Sequence, residues 1–110
     1  MTRTSFFCIV TIAFMLMMVA QPAFSQSGGE ALYKQKCQVC HAPDGSGDTI
    51  MGKKLGAKDL KSAEIQKLTD AEITNVITKG KDKMKGFEGK LSNDEIKSLV
   101  TYVRELAKKK

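Results

Sequence analysis

The chain has 110 residues, 42% of them apolar, and 18 Lys and Arg against 12 Asp and Glu give it a net charge of +6. That length holds one small domain and leaves no room for a second. One histidine, three cysteines and no tryptophan exclude any site needing a pair of imidazoles, and leave an interior short of bulky side chains.

The first element is a leader. Arg3 precedes the apolar run Phe6 to Ala20, and the small-residue site Ala23-Phe24-Ser25 follows Pro22, the layout of a secretory signal peptide. Residues 1–25 are expected to be removed before Gln26, leaving residues 26–110 as the domain, in the periplasm or otherwise exported. The run is shorter than the roughly 20 residues that span a bilayer, so no stable membrane anchor is expected. Cys8 lies inside the leader and leaves with it.

A helix is predicted from Gly28 or Gly29 into the run Cys37-Gln38-Val39-Cys40-His41, with Tyr33, Cys37 and Cys40 at i, i+4 and i+7 on one face. Pro43 to Gly56 holds a proline and four glycines and reads as a loop. A short helix is predicted near Ala63 to Leu68. Thr69 and Glu72 form a capping box, with Leu68 and Ile73 as its hydrophobic staple, and open a helix that carries Ile73, Val76 and Ile77 and stops at Gly80. Lys79 to Lys90 has no periodicity. Ser92 and Glu95 repeat the box with Leu91 and Ile96, and a last helix presents Ile96, Leu99, Val100, Val103 and Leu106 as one stripe. The pattern is that of an all-α domain with no sheet.

The chemistry lies in C-x-x-C-H. Two thiols able to bond the vinyl groups of haem stand directly before an imidazole able to ligate its iron, the pattern of c-type haem attachment. Structural zinc normally takes four Cys or His ligands, and residues 26–110 offer three, within five positions. A Cys37–Cys40 disulfide closes too small a loop to hold a domain. A thioredoxin-like pair needs flanking strands that the sequence lacks. Haem c, one per chain and covalently attached, is therefore the expected cofactor, with Cys37 and Cys40 as thioether sites and His41 as proximal iron ligand. With no second histidine, the distal position falls to a thioether, water or a rarer donor. Met51 lies ten residues after His41 in the glycine-rich segment and reads as core or loop packing. Met84, 43 residues after His41 in the non-periodic segment, has room to pass around the haem edge and is the better distal ligand.

These residues resemble the small single-haem class I c-type cytochromes, in particular the bacterial cytochrome c6/c553-like group, over essentially all of residues 26–110. Gly29 and Tyr33 match the Gly and aromatic of that family's first helix. Leu99 and Tyr102 match the Leu and aromatic of its last, and Gly80-Lys81-Asp82-Lys83-Met84 resembles its approach to the distal methionine. The resemblance implies a small cytochrome c fold, three to four helices wrapped around one covalently bound haem. It implies Cys37 and Cys40 as attachment sites, His41 and Met84 as axial ligands, and packing of the first and last helices at Gly29, Tyr33, Leu99 and Tyr102. Two positions depart from it. Lys85 stands where family members often have a proline after the methionine. Many members also have a proline in the loop after the attachment motif, whose carbonyl accepts the proximal histidine's hydrogen bond; here the nearby residue is Ile50, which can still offer a carbonyl but does not fix the backbone as proline does.

A six-coordinate iron leaves no substrate position, and no nucleophile–base pair is identifiable, so a one-electron carrier rather than an enzyme is expected. The alternative is a haem c domain that binds or senses a small diatomic ligand at an open distal site. Loss of Arg3 with the leader takes the polypeptide charge from +6 to +5. Lys79, Lys81, Lys83, Lys85 and Lys90 crowd the distal segment, which points to redox partner proteins with acidic docking surfaces. Nucleic acid is not an expected partner. A monomer is expected.

Overall fold

The computed structural model describes residues 27–109; the expected leader and its cleavage site lie outside the described residues. Six helices follow in chain order: α1 (Ser27–Lys36), α2 (Gln38–His41), α3 (Ile50–Leu55), α4 (Ala63–Gln66), α5 (Asp70–Lys79) and α6 (Asn93–Lys108). Between α5 and α6 a small antiparallel hairpin pairs β1 (Gly80–Lys81) with β2 (Met84–Lys85), in the register Gly80 to Lys85 and Lys81 to Met84. None of the described helices is long and apolar enough to cross a membrane.

The architecture is organised by α1 packing on α6. Gly29 permits it, because a Cβ at this position would overlap the carbonyl oxygen of Ser98 and crowd the Tyr102 side chain. Tyr33 and Tyr102 then meet with ring centroids 5.0 Å apart and planes tilted by 52°, an arrangement aromatic quadrupoles favour. Tyr33, Ile96, Leu99 and Leu106 have the largest fully buried side chains among the described residues. The packing expected at Gly29, Tyr33, Leu99 and Tyr102 is thus present, and the predicted stripe of α6 is its buried face.

Both predicted capping boxes form. Thr69 accepts from the Glu72 amide and Glu72 from that of Thr69, and Ser92 and Glu95 do the same, satisfying amides that each helix leaves without internal partners. Arg104 ties α6 to the chain between α4 and α5. Its guanidinium donates to the carbonyls of Gln66 and Leu68 and pairs with Asp70 at 2.9 Å.

Two segments differ from the sequence expectation. The glycine-rich loop contains α3, which Thr49 caps by accepting from the Gly52 amide and which Gly56 closes in the left-handed conformation at φ 70°. The expected absence of sheet is corrected by the hairpin: Gly80 (φ 82°) ends α5, and Asp82 (φ 52°) turns the chain back so that Met84 pairs with Lys81.

Candidate haem site

Cys37, Cys40 and His41 sit together at the end of the first helical stretch. Cys37 has right-handed helical angles (φ −113°, ψ −35°) and marks the break between α1 and α2. The amides of Cys40 and His41 both bond to its carbonyl, at 3.1 and 2.9 Å. Cys37 packs against the core beside Tyr33, as the i, i+4 spacing predicts. Both thiols are free. Burial, reinforced by neighbouring Cys40, pushes the Cys37 thiol up to about 11.

His41 is oriented by backbone. Its Nδ1 lies 3.0 Å from the carbonyl oxygen of Lys58. A carbonyl only accepts, so Nδ1 carries the proton and the Nε2 lone pair is left for a metal. This corrects the expectation at Ile50: Ile50 is the first residue of α3, and the carbonyl that His41 meets is that of Lys58, beyond the end of that helix. Burial lowers the His41 pKa, and the Lys58 hydrogen bond opposes that shift.

The residues around the motif hold its shape. Ala42 takes a left-handed φ of 68°, and the buried Tyr33 hydroxyl donates to its carbonyl. Burial, with a smaller contribution from Cys37, raises the Tyr33 phenol well above its ordinary range. The Gly47 amide bonds to the His41 carbonyl at 2.8 Å. The Thr49 hydroxyl donates to the carbonyls of Val39 and Cys40, at 2.8 and 3.1 Å. Gly52 completes the contact, since a Cβ there would overlap the carbonyls of Cys40 and Gly47. Sequence reasoning missed Thr49 and Lys58. Thr49 left a trace as a capping residue three positions before Gly52, whereas a backbone carbonyl such as that of Lys58 leaves none.

Met84 lies on β2, half-buried. The hairpin is fastened to α5 and its continuation, with the Phe87 and Glu88 amides bonding to the carbonyls of Ile77 and Thr78 at 2.9 and 3.0 Å. Phe87 is buried in the core. Met51 is 40% exposed and does not join the core, which sets aside the first of its two expected placements, core or loop packing. Lys79 is drawn to Glu88 at 2.7 Å, so the lysine-rich segment is partly neutralised. Lys81, Lys83 and Lys85 are exposed around Asp82.

The donor set fits a covalently attached haem: two unpaired thiols three residues apart, then an imidazole whose second nitrogen is already engaged.

Comparison with known proteins gives the same answer. Residues 25–103 match the family model described as cytochrome C oxidase, cbb3-type, subunit III. The chain is 32% identical over 103 residues to a cytochrome c6-like protein of Nostoc sp., covering 92% of this chain and 90% of that protein. It is 31% identical to cytochrome c6 of Porphyra purpurea, covering 99% and 98%. A solved structure described as KustC0563 c-type cytochrome superposes with a TM-score of 0.66 at 40% identity, over 71% of this chain and 95% of that one.

Proposed function

The chain belongs to the class I c-type cytochromes, and from that premise we propose that Cys37 and Cys40 would hold its haem by thioether links and that His41 Nε2 and Met84 Sδ would hold the iron. One covalently bound haem c and a role in carrying electrons come with the family. When bound, haem c supplies a one-electron ferric/ferrous couple. The chain's own residues set its terms. The Lys58 carbonyl fixes the tautomer and plane of His41 and raises its basicity as a ligand. The Met84 thioether is a weak donor that favours the reduced metal and raises the potential. With His41 and Met84 both committed to holding the iron, the chain would leave no position there for a substrate, and the protein would work as a carrier rather than an enzyme. It acts outside the cytoplasm after removal of residues 1–25, as a monomer without a membrane anchor. Its excess of lysine directs it to redox partners with acidic surfaces.

The observation that carries this reading is the engagement of His41 Nδ1 by Lys58 beside two unpaired thiols. The test is to mature the full chain in a host that attaches haem c, denature the secreted product, and ask whether the haem stays on the polypeptide. The ferrous protein is then exposed to carbon monoxide. Retained haem and slow or absent carbon monoxide binding are expected. Prompt binding favours the diatomic-ligand reading, and a colourless product contradicts haem attachment.

A further inference from the structure

The aromatic ring of Tyr33 is accounted for by its contact with Tyr102, and a phenylalanine would make that contact as well. The hydroxyl is not. Tyr33 is 1% exposed, so its hydroxyl needs a partner inside the protein. The partner it takes is the carbonyl of Ala42, the residue directly after His41. Burial raises the phenol pKa, which keeps the group a donor.

Ala42 is the unusual residue of the motif. Its backbone has φ 68° and ψ 162°, a region that glycine enters freely and that a Cβ makes costly. The residue is buried, and its turn ends α2 immediately beyond the imidazole. A backbone of this kind persists only where its surroundings hold it. Here the Ala42 amide bonds to the Gln38 carbonyl at 3.0 Å, and the Ala42 carbonyl accepts from the Tyr33 hydroxyl and, at 3.2 Å, from the Gly45 amide.

From Gly45 the hydrogen bonds lead back to the imidazole. The Gly45 carbonyl accepts from the Leu60 amide at 2.8 Å. Leu60 is two residues beyond Lys58, whose carbonyl oxygen lies 3.0 Å from His41 Nδ1. His41, Ala42, Gly45 and residues 58–60 therefore form a closed circuit, and Tyr33 anchors that circuit to α1 at its strained member. The ring of Tyr33 serves the packing of α1 on α6, and its hydroxyl serves the motif.

We propose that the Tyr33 hydroxyl is a positioning group for His41: by holding the Ala42 carbonyl it keeps the chain in the costly turn after the imidazole and, through Gly45 and Leu60, keeps the Lys58 carbonyl on Nδ1. The proposal rests on the reading of His41 as the proximal ligand. A carbonyl on Nδ1 raises the basicity of the imidazole, which favours ferric iron, so the hydroxyl holds the potential of the loaded protein down.

The test compares the wild-type holoprotein with Tyr33→Phe, with Tyr33→Phe combined with Ala42→Gly, and with Tyr102→Phe, a control that removes a phenol from the same aromatic pair. Two quantities are read: solvent exchange of the His41 Nδ1 proton in the ferrous protein by NMR, and the midpoint potential. Tyr33→Phe is expected to speed the exchange by about tenfold or more, because a hydrogen bond that opens more often protects less, and to raise the potential. Glycine accepts the turn without help, so adding Ala42→Gly should return both quantities to wild-type values. Tyr102→Phe should change neither. Wild-type exchange and potential in Tyr33→Phe would overturn the proposal. So would a combined variant that behaves like Tyr33→Phe, since the hydroxyl would then act through something other than the turn at Ala42. If Tyr33→Phe yields no holoprotein, the combined variant is expected to recover it with the wild-type potential, and a failure to do so overturns the proposal as well. Failure of the ligand reading shows itself differently: the wild-type ferrous spectrum would then lack His41 ring protons shifted upfield by the haem.

Discussion

The α1–α6 packing and the segments that carry the candidate ligands are built by different means. Where α1 meets α6, long helices bury Tyr33, Leu99 and Leu106 to about one per cent exposure, and a glycine lets the backbones approach. The attachment motif and the hairpin consist of elements two to six residues long, held by the Thr49 hydroxyl, the Lys58 carbonyl and the amides of Phe87 and Glu88. Apolar burial supplies stability in the first region. In the second, directional hydrogen bonds fix where donors point, and their net contribution to stability is small. Damage to the first region should therefore lower stability with little change of colour, and damage to the second should do the reverse.

The largest expected effect lies in the second region. Replacing Cys37 and Cys40 together by serine should abolish covalent haem retention outright, read by haem staining after denaturing electrophoresis. In the first region, Leu99→Ala removes a fully buried side chain and should cost about 2–5 kcal/mol, measured by denaturant unfolding of the holoprotein. Its visible spectrum should stay unchanged below the transition. A smaller loss is expected for Arg104→Ala, which leaves the carbonyls of Gln66 and Leu68 without this donor and should cost about 1–3 kcal/mol. The smallest is Ser92→Ala, which removes the α6 cap for about 1 kcal/mol. A spectral change in Leu99→Ala larger than that in any motif variant would break the contrast between the regions.

The same contrast governs what could be read from the sequence. Helices α5 and α6 announce themselves because a capping box and a 3.6-residue stripe are side-chain signals, and the boxes form and the stripes supply buried core residues in the structure. The motif is legible for the same reason, since the thiols of Cys37 and Cys40 and the imidazole of His41 are side-chain signals. Helix α3 was hidden because its six residues lie in a segment rich in glycine, one of which, Gly52, is a helical residue required for packing rather than a turn. The hairpin depends on left-handed backbone at Gly80 and Asp82 and is too short to show alternation. The Lys58 carbonyl belongs to the backbone, so replacing the side chain there need not disturb it.

Met84 is the point on which the electron-carrier mechanism turns. The most direct test is the far-red absorption of the ferric holoprotein, where thioether–iron ligation gives a weak charge-transfer band, recorded for the wild type and for Met84→Ala. The account predicts the band in the wild type and its loss in the variant, together with a lower potential and prompt carbon monoxide binding by the ferrous variant. A wild type lacking the band, or a Met84→Ala protein that keeps it, would contradict ligation by Met84.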